Sequence, residues 1–487
     1  MGSISKTSRL IPLLINGREV FTSKTFTKIG PLENKAVWDV CGASEQDASR
    51  AADAAQAAFP AWSKTKVSQR RDVLLKAAEV MERRRSELGE YMRQEIGANQ
   101  RYQDFIISMA IEGLKDTAGR IAGACTGSVP DSTHEGMRAI VHKRPYGVVL
   151  GIAPWNAPYQ LGLRSITFAL AAGNTAVLKG SEHTPKCYWA MVDIFREAGL
   201  PDGCLNLVLH DPRDASAVTN SLIAHPAVKK INFTGSTKVG SIISQEAGKH
   251  LKPVLMELGG KANAIVMPDA NLENAAAHCA VGAFINAGQI CMSTERIIVH
   301  ASIADEFKKV LFKAVNNMFG SVEDTPILVT AESAARNRGL VEDALDKGAK
   351  KMPVFAESPD AGHEQVATRM RPVILENIDK SMALYAGESF GPSVSWYTYE
   401  NENDMVELAN DTEYGLAASI YSEDLGAAFR LAERLDSGAI HINSMTVHDE
   451  YSLPHGGVKK SGFGRFNSEV GLNEFLYCKT VTWMDKE

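Results

Sequence analysis

Several features are missing from this chain of 487 residues. No apolar run is long enough to cross a bilayer, so a membrane-spanning role is not expected. No CxxC pair occurs. The seven cysteines (Cys41, Cys125, Cys187, Cys204, Cys279, Cys291 and Cys478) are odd in number and dispersed. That argues against a disulfide framework or a metal site, and for a reducing, cytoplasmic setting. A basic excess is also missing: 52 Lys and Arg stand against 58 Asp and Glu, a net charge of -6, which does not point to a nucleic-acid partner. There is no short-period repeat and no low-complexity tail. The N-terminal segment lacks the long apolar stretch of a secretory leader, and Lys6 stands where a myristoylation signal needs Ser or Thr. The last three residues, Asp485-Lys486-Glu487, form no retention or peroxisomal address. What remains is ordinary globular composition, 45% hydrophobic and 23% charged, with length for two or three domains.

Periodicity gives the organisation. Residues 13–20 read as strand, turn and strand around Asn16-Gly17. Helical spacing follows from Ser44, from 68 to about 96, where Arg83, Arg84 and Arg85 read as a solvated face, and from about 103 to 122. Residues 127–143 are turn-rich and then alternate, which reads as an extended hairpin, with 475–484 as a further strand beside it. From Gly147 strands and helices alternate. Strands are expected at 147–154, 175–179, 205–209 and 230–234, with helices beginning near Thr184, Asp214 and Thr237. Repeated βαβ units imply a doubly wound parallel sheet of Rossmann type. Ligands sit beyond the carboxyl ends of such strands, so Trp155-Asn156, Lys179–Glu182 and Gly235-Ser236 should share one crevice. A second α/β region follows Glu257. Its expected strands are 262–266, 296–299, 371–375, 394–398 and 418–422, and its helices lie near 271–286, 302–318, 331–347, 401–410 and 423–435. Residues 352–370 read as an exposed loop.

Chemistry concentrates between Glu257 and Cys291. Glu257 adjoins the pair Gly259-Gly260, and Gly288-Gln289-Ile290-Cys291 marks a bend. A cysteine and a carboxylate can serve as nucleophile and water-activating base. The plainer alternative makes Cys291 a buried small hydrophobe and Glu257 a surface charge. Asn156 offers an amide to an oxyanion, or is a turn residue. Glu182 is a ribose-binding carboxylate, or only a favourable charge at a helix N-terminus. The string Gly235-Ser236-Thr237, after a strand and before a helix, allows close approach of a phosphate. A convincing GxGxxG is absent from the first βα turn.

The segments 155–156 (WN), 179–182 (KGSE), 235–240 (GSTKVG), 255–261 (LMELGGK), 288–291 (GQIC), 388–392 (ESFGP) and 454–465 (PHGGVKKSGFGR) together resemble the NAD(P)-dependent aldehyde dehydrogenases over nearly the whole chain. The resemblance implies that Cys291 attacks the aldehyde, Asn156 and the Cys291 N–H hold the oxyanion, and Glu257 activates water on the resulting thioester. It implies that Trp155, Lys179, Ser181, Glu182, Gly235, Ser236, Gly259, Glu388 and Phe390 hold the cofactor. NAD is expected over NADP, because Glu182 would repel a 2′-phosphate. Gly180 departs from the proline common there, and Gly387 stands where many relatives carry an acid.

The implied domains are 1–126 with 147–256 for NAD, 257–455 for catalysis, and an oligomerisation arm of 127–146 with 466–487, giving a homodimer or homotetramer. Within the family, 155–164 (WNAPYQLGLR) is similar to the salicylaldehyde, vanillin and benzaldehyde dehydrogenases. Ala157 then makes room for a ring, and Ile290 and Met292 supply apolar wall. Arg164 either pairs with a phenolate or carboxylate oxygen of the substrate or belongs to a structural ion pair. His455 replaces the usual phenylalanine, and either donates to a ring hydroxyl or fills the same space. Asp449 and Glu450 are expected to repel a free anionic substrate. The alternatives are an aliphatic aldehyde or semialdehyde on the same mechanism, a scaffold that no longer catalyses, and transfer to coenzyme A, which the presence of Glu257 disfavours.

Overall fold

The computed structural model describes residues 9–355 and 366–484. The expectations for Lys6, for the middle of the 352–370 loop and for Asp485-Lys486-Glu487 lie outside the described residues.

Two sheets carry the fold. The first has eight strands, in the spatial order Gly462–Phe463, Val254–Glu257, Val228–Thr234, Val148–Ile152, Thr175–Lys179, Leu205–Val208, Leu13–Ile15 and Arg18–Val20. Its central strands pair in parallel and are buried along their length, because helices cover both faces. That is why they read as continuous apolar runs and not as alternation. The second sheet has seven strands, in the order Lys350–Lys351, Val373–Glu376, Ser393–Tyr399, Thr294–His300, Ala262–Val266, Ala417–Tyr421 and Ala439–Ile442. A three-stranded sheet of Leu10–Ile11, Lys35–Cys41 and Thr25–Gly30 lies apart from both.

Register sets where a site can form. Ile152 lies opposite Lys179 on one side and Phe233 on the other, and Thr234 lies opposite Glu257. The carboxyl ends of four adjacent strands therefore finish at one level. At the far edge the tight turn needs left-handed backbone at both central positions. Asn16 (φ 53°) and Gly17 (φ 71°) supply it, and Leu13–Ile15 pairs back on Arg18–Val20.

Two expectations are corrected. The helix expected over 68–96 is two helices, Val67–Arg83 and Arg85–Ile96, broken at Arg84. Arg84 is not on a solvated face: it is buried, bonded to Glu87 at 3.0 Å and to Asp193 at 2.9 Å. The expected hairpin within 127–143 reduces to a single bridge between Ser128 and Val141. The strand Met137–Pro145 pairs along its whole length and antiparallel with Leu476–Met484, the strand expected beside it from 475–484.

A remote side chain completes one helix start. Helix Pro185–Glu197 has no side-chain cap of its own. Glu95, fully buried at the end of Arg85–Ile96, accepts from the backbone N–H groups of Lys186 (2.7 Å) and Cys187 (3.0 Å). Burial lifts this carboxyl to about 7 despite those bonds. The contact fixes the segment that follows Lys179, and removing it orphans two buried N–H groups. Glu95→Ala is expected to lower stability by about 1–3 kcal/mol, read from denaturant unfolding at neutral pH.

Candidate active site

The nucleophile loop is built on strain and on one buried amide. Helix Leu272–Phe284 runs into a turn, Ile285–Gly288, in which Asn286 (φ 49°), Ala287 (φ 60°) and Gly288 (φ 70°) are all left-handed. Two of those three are not glycine, so the turn stores strain that its surroundings must hold. A Cβ on Gly288 would stand 2.3 Å from the Gly391 carbonyl oxygen, so no larger residue fits. Gln289 is the rivet. Its side chain donates to the carbonyls of Asn286 (2.9 Å) and Ile327 (3.1 Å) and accepts from the N–H of Val329 (2.9 Å). Cys291, two residues on, is left half-buried against a cavity.

The glycines after Glu257 have a matching reason. A Cβ on Gly260 would meet the Cys291 carbonyl oxygen at 2.2 Å, and one on Gly259 would meet the Glu388 carboxylate at 2.4 Å. The chain passes directly beneath the nucleophile loop and needs both absences.

The cavity in front of Cys291 is closed by helix Pro158–Ala171, through Gln160 and Leu161, with Ala157 just before it. Phe105 and Met109 of helix Gln100–Ala124 form the opposite wall, and Ile290, Met292 and Val447 add apolar surface. Asn156 reaches the same cavity. One hydrogen of its amide is donated to the Gln289 carbonyl at 2.9 Å, which orients the group. An amide has two such hydrogens, so the second remains for an oxyanion beside Cys291. Burial, then the charges of Glu257 and Glu388, push the Cys291 thiol up. Attack therefore requires the thiol proton to leave first.

Glu257 ends its strand fully buried at the cavity. Burial alone would raise its carboxyl, but its partners outweigh burial and hold it at about 2. Arg164 bonds one oxygen at 3.0 Å and His455 Nε2 meets the other at 3.0 Å. Arg164 also pairs with Asp449, and its guanidinium lies 5.9 and 5.6 Å from the ring centres of Tyr451 and Phe466.

Four expectations change in consequence. Arg164 and His455 do not line the cavity; both stand one layer behind it, 1% and 4% exposed. Of the two readings of Arg164, the structure shows the ion pair, with a carboxylate on each side. His455 faces Glu257, so it is not placed to donate to a ring hydroxyl. Asp449 does line the cavity, but Arg164 neutralises its charge, and Glu450 turns away to His448 at 2.6 Å. For Arg164 and Asp449 the physical reason is the same: a buried arginine recruits the carboxylates beside it before a substrate can.

The cofactor candidates gather as the register requires. Lys179 and Glu182 follow one strand end, and each carries a charge the other's ionisation responds to. The Gly235 N–H donates to the Glu257 carbonyl at 3.0 Å, and Ser236 caps helix Thr237–Lys249 through the N–H of Val239. Ser181 accepts from the N–H of His183. Across the crevice, Glu388 accepts from the Gly260 N–H at 3.1 Å, and burial followed by the Glu295 charge lifts it to about 8. Glu295, paired with Lys261 at 2.7 Å, holds Ser389 by backbone and hydroxyl. Phe390 is thereby kept left-handed (φ 46°), edge-on to Trp155 at 5.7 Å. A helix N-terminus, a ribose-type carboxylate and glycines that admit close approach fit a dinucleotide.

Sequence reading passed over Phe105, Met109, Gln160 and Leu161 as cavity walls. In the sequence they are helical residues like their neighbours, and nothing separates a cavity face from a core face.

A cysteine, an oriented amide and a carboxylate around one cavity, with residues nearby that fit a dinucleotide, suit covalent thiol chemistry coupled to a redox cofactor. The chain belongs to the aldehyde dehydrogenase family, whose model matches residues 20–481, and is thus an oxidoreductase acting on aldehydes. It is 41% identical to a vanillin dehydrogenase of Pseudomonas fluorescens over 479 residues, covering 97% of each chain. It is 33% identical to a benzaldehyde dehydrogenase [NAD(+)] of Pseudomonas putida, covering 91% of this chain and 90% of the relative. The crystal structure of a salicylaldehyde dehydrogenase from Pseudomonas putida G7, complexed with salicylaldehyde, superimposes with a TM-score of 0.93 at 34% identity, covering 99% of each chain.

Gln289→Ala removes three buried hydrogen bonds from the strained turn. It is expected to cost about 2–3 kcal/mol of stability and to lower kcat/KM by about 10- to 100-fold through misplacement of Cys291, checked by unfolding and steady-state assays. The Glu257 ion pairs give a pH signature. A carboxyl held at about 2 instead of 4.5 contributes stability that is fully present above 4.5 and is lost as pH falls toward 2. The stability gap between wild type and Glu257→Gln is expected to be constant near neutral pH and to narrow across that acid window, read from denaturant unfolding against pH.

Proposed function

We propose that this chain oxidises an aromatic aldehyde to the carboxylic acid with NAD, through a thioester on Cys291 that is hydrolysed with Glu257 as base. The observation that carries the reading is the cavity itself. It brings Cys291, the free hydrogen of Asn156 and Glu257 to one apolar chamber at the mouth of the crevice.

The substrate carbonyl sits between Cys291 Sγ and the Asn156 amide. The thiol proton passes to water in the cavity, Sγ attacks to form the C–S bond, and the carbonyl electron pair moves to the oxygen, an oxyanion held by Asn156 and the Cys291 N–H. NAD, when bound, supplies the two-electron acceptor for the substrate hydride. Trp155, Lys179, Ser181, Glu182, Gly235, Ser236, Gly259, Glu388 and Phe390 hold it. Glu182 supports NAD over NADP, and the NAD named for the benzaldehyde relative agrees. Glu257 then exchanges one of its present partners for a water and takes a proton from it.

The substrate class follows from charge. Ala157, Leu161, Ile290 and Met292 offer apolar space, and the arginine nearest the cavity is already matched by two carboxylates. The terminal carboxylate of a semialdehyde would be buried there without a cation, because Arg164 is already matched. An uncharged or phenolic ring meets no such penalty. The vanillin, benzaldehyde and salicylaldehyde dehydrogenases to which the chain is similar support the same class.

The first sheet with residues 1–126 and 147–256 reads as the cofactor domain and 257–455 as the catalytic domain. The pair of strands Met137–Pro145 and Leu476–Met484 reads as the assembly arm of a homodimer or homotetramer, supported by the exposure of Val481, Trp483 and Met484. A cytoplasmic setting suits the seven free cysteines.

NADH formation with vanillin, salicylaldehyde and benzaldehyde is expected to exceed that with hexanal and succinic semialdehyde by about tenfold or more in kcat/KM. Cys291→Ala is expected to abolish it without loss of fold. Preference for the alkanal or the semialdehyde overturns the substrate class, and turnover by Cys291→Ala overturns the mechanism.

A further inference from the structure

Glu257 is buried, and every proton it takes from water must leave it again before the next turnover. Among the described residues, three side chains hydrogen-bond its carboxylate. Arg164 lies at 3.0 Å, the Thr234 hydroxyl at 3.4 Å and His455 Nε2 at 3.0 Å. A guanidinium keeps its protons throughout the physiological range and cannot accept another. A threonine hydroxyl neither gains nor loses one there. Imidazole alone among the three both takes and gives a proton near neutral pH.

The imidazole is held for this. Its backbone is pinned by reciprocal hydrogen bonds with Phe466, at 3.0 and 2.8 Å. Its other ring nitrogen, Nδ1, faces Asp449 at 3.7 Å. Asp449 is itself fixed by Gln160 and Asn467, each at 2.7 Å, and by Arg164. At that distance Asp449 acts on the ring through charge and not through a hydrogen bond, and it favours the ring when it carries the extra proton. The charged and titratable groups facing the ring are thus Glu257, Asp449 and, through space, Arg164 and His441. A phenylalanine, the residue expected here from the resemblance, fills the same space and does none of this.

We propose that His455 is a positioning residue that takes the hydrolytic proton from Glu257, with the charge of Asp449 favouring the protonated ring. This rests on the thioester mechanism above. In the hydrolytic step the water oxygen gives an electron pair to the thioester carbonyl carbon, and its proton passes to the Glu257 carboxylate. The tetrahedral adduct collapses, the C–S bond breaks with its electron pair going to Sγ, and the carboxylic acid leaves. The proton on Glu257 then moves to Nε2 of His455. Glu257 is a carboxylate again, and no oxidant or further reactant is needed.

The test uses the full chain with NAD and benzaldehyde in rapid mixing, comparing wild type, His455→Gln and His455→Ala. Glutamine keeps a donor toward Glu257 but cannot carry a proton. Both variants are expected to give a burst of about one NADH per site followed by steady-state turnover slowed about 100-fold, and added imidazole is expected to restore part of the rate of His455→Ala. Should His455→Ala fail to fold, His455→Gln carries the test. Wild-type turnover by His455→Gln overturns the relay, because a donor would then suffice. Loss of the burst together with the steady state also overturns it, since the residue would then act before hydrolysis. A failure of imidazole to help His455→Ala counts against it as well. Absence of NADH from the wild type with every aldehyde overturns the proposed function instead, and so is told apart from failure of the relay.

Discussion

The site depends on one buried arginine. Arg164 stands in a helix with every residue buried, and an uncompensated charge there would cost several kcal/mol. Two carboxylates answer it, Glu257 from the strand Val254–Glu257 and Asp449 from the loop before His455. That requirement draws three distant pieces of chain to one point. It also decides what each charge is free to do. Arg164 has nothing left for a substrate anion, Asp449 does not act as a bare repelling charge, and Glu257 is held as a carboxylate far below its usual range. The same pairing that makes Glu257 a weak base in this arrangement keeps it ionised, aimed and next to the nucleophile. To act it must trade a partner for water, and removal of a proton from it is then as much a part of catalysis as the capture of that proton.

A second constraint is closeness of backbone. Gly259 and Gly260 run under the loop that carries Cys291, and Gly288 packs on the Gly391 carbonyl. Interiors are packed too tightly for such contacts to yield by more than a few tenths of an ångström. The left-handed turn at Asn286 and Ala287 persists because Gln289 ties it to Ile327 and Val329 from one side and Asn156 donates to the Gln289 carbonyl from the other. The nucleophile and its oxyanion donor are thus parts of one hydrogen-bonded unit, and strain in the turn is offset by bonds that also orient the chemistry.

Much of this was legible in the chain. The parallel strands announced themselves as apolar runs between helices, and the level of their carboxyl ends predicted a shared crevice for Trp155, Lys179, Glu182 and Gly235. Glu257 and Cys291 stood out through their glycines, for the steric reason now visible at Gly259 and Gly260. The misreadings have a common form. Arg84 looked solvated because arginine usually is; its carboxylates, Glu87 and Asp193, are brought to it by folding. The strand Met137–Pro145 looked like half of a local hairpin, although 475–484 was also expected beside it. Arg164 and His455 were expected at the pocket from the family resemblance, with an ion pair and space-filling as the alternatives, and a shift of one layer separates a wall residue from one that faces Glu257.

The sequence by itself determined the two α/β sheets, because periodicity leaves a local trace, and it marked Cys291, Asn156 and Glu257 as candidates whose chemical reading came from the family resemblance and not from any local pattern. Only the tertiary structure decided which charges meet. Arg164, Glu257, Asp449 and His455 lie far apart along the chain, and no local pattern records that they neutralise one another. Burial makes the pairing obligatory, and the folded geometry alone fixes which oxygen faces which nitrogen.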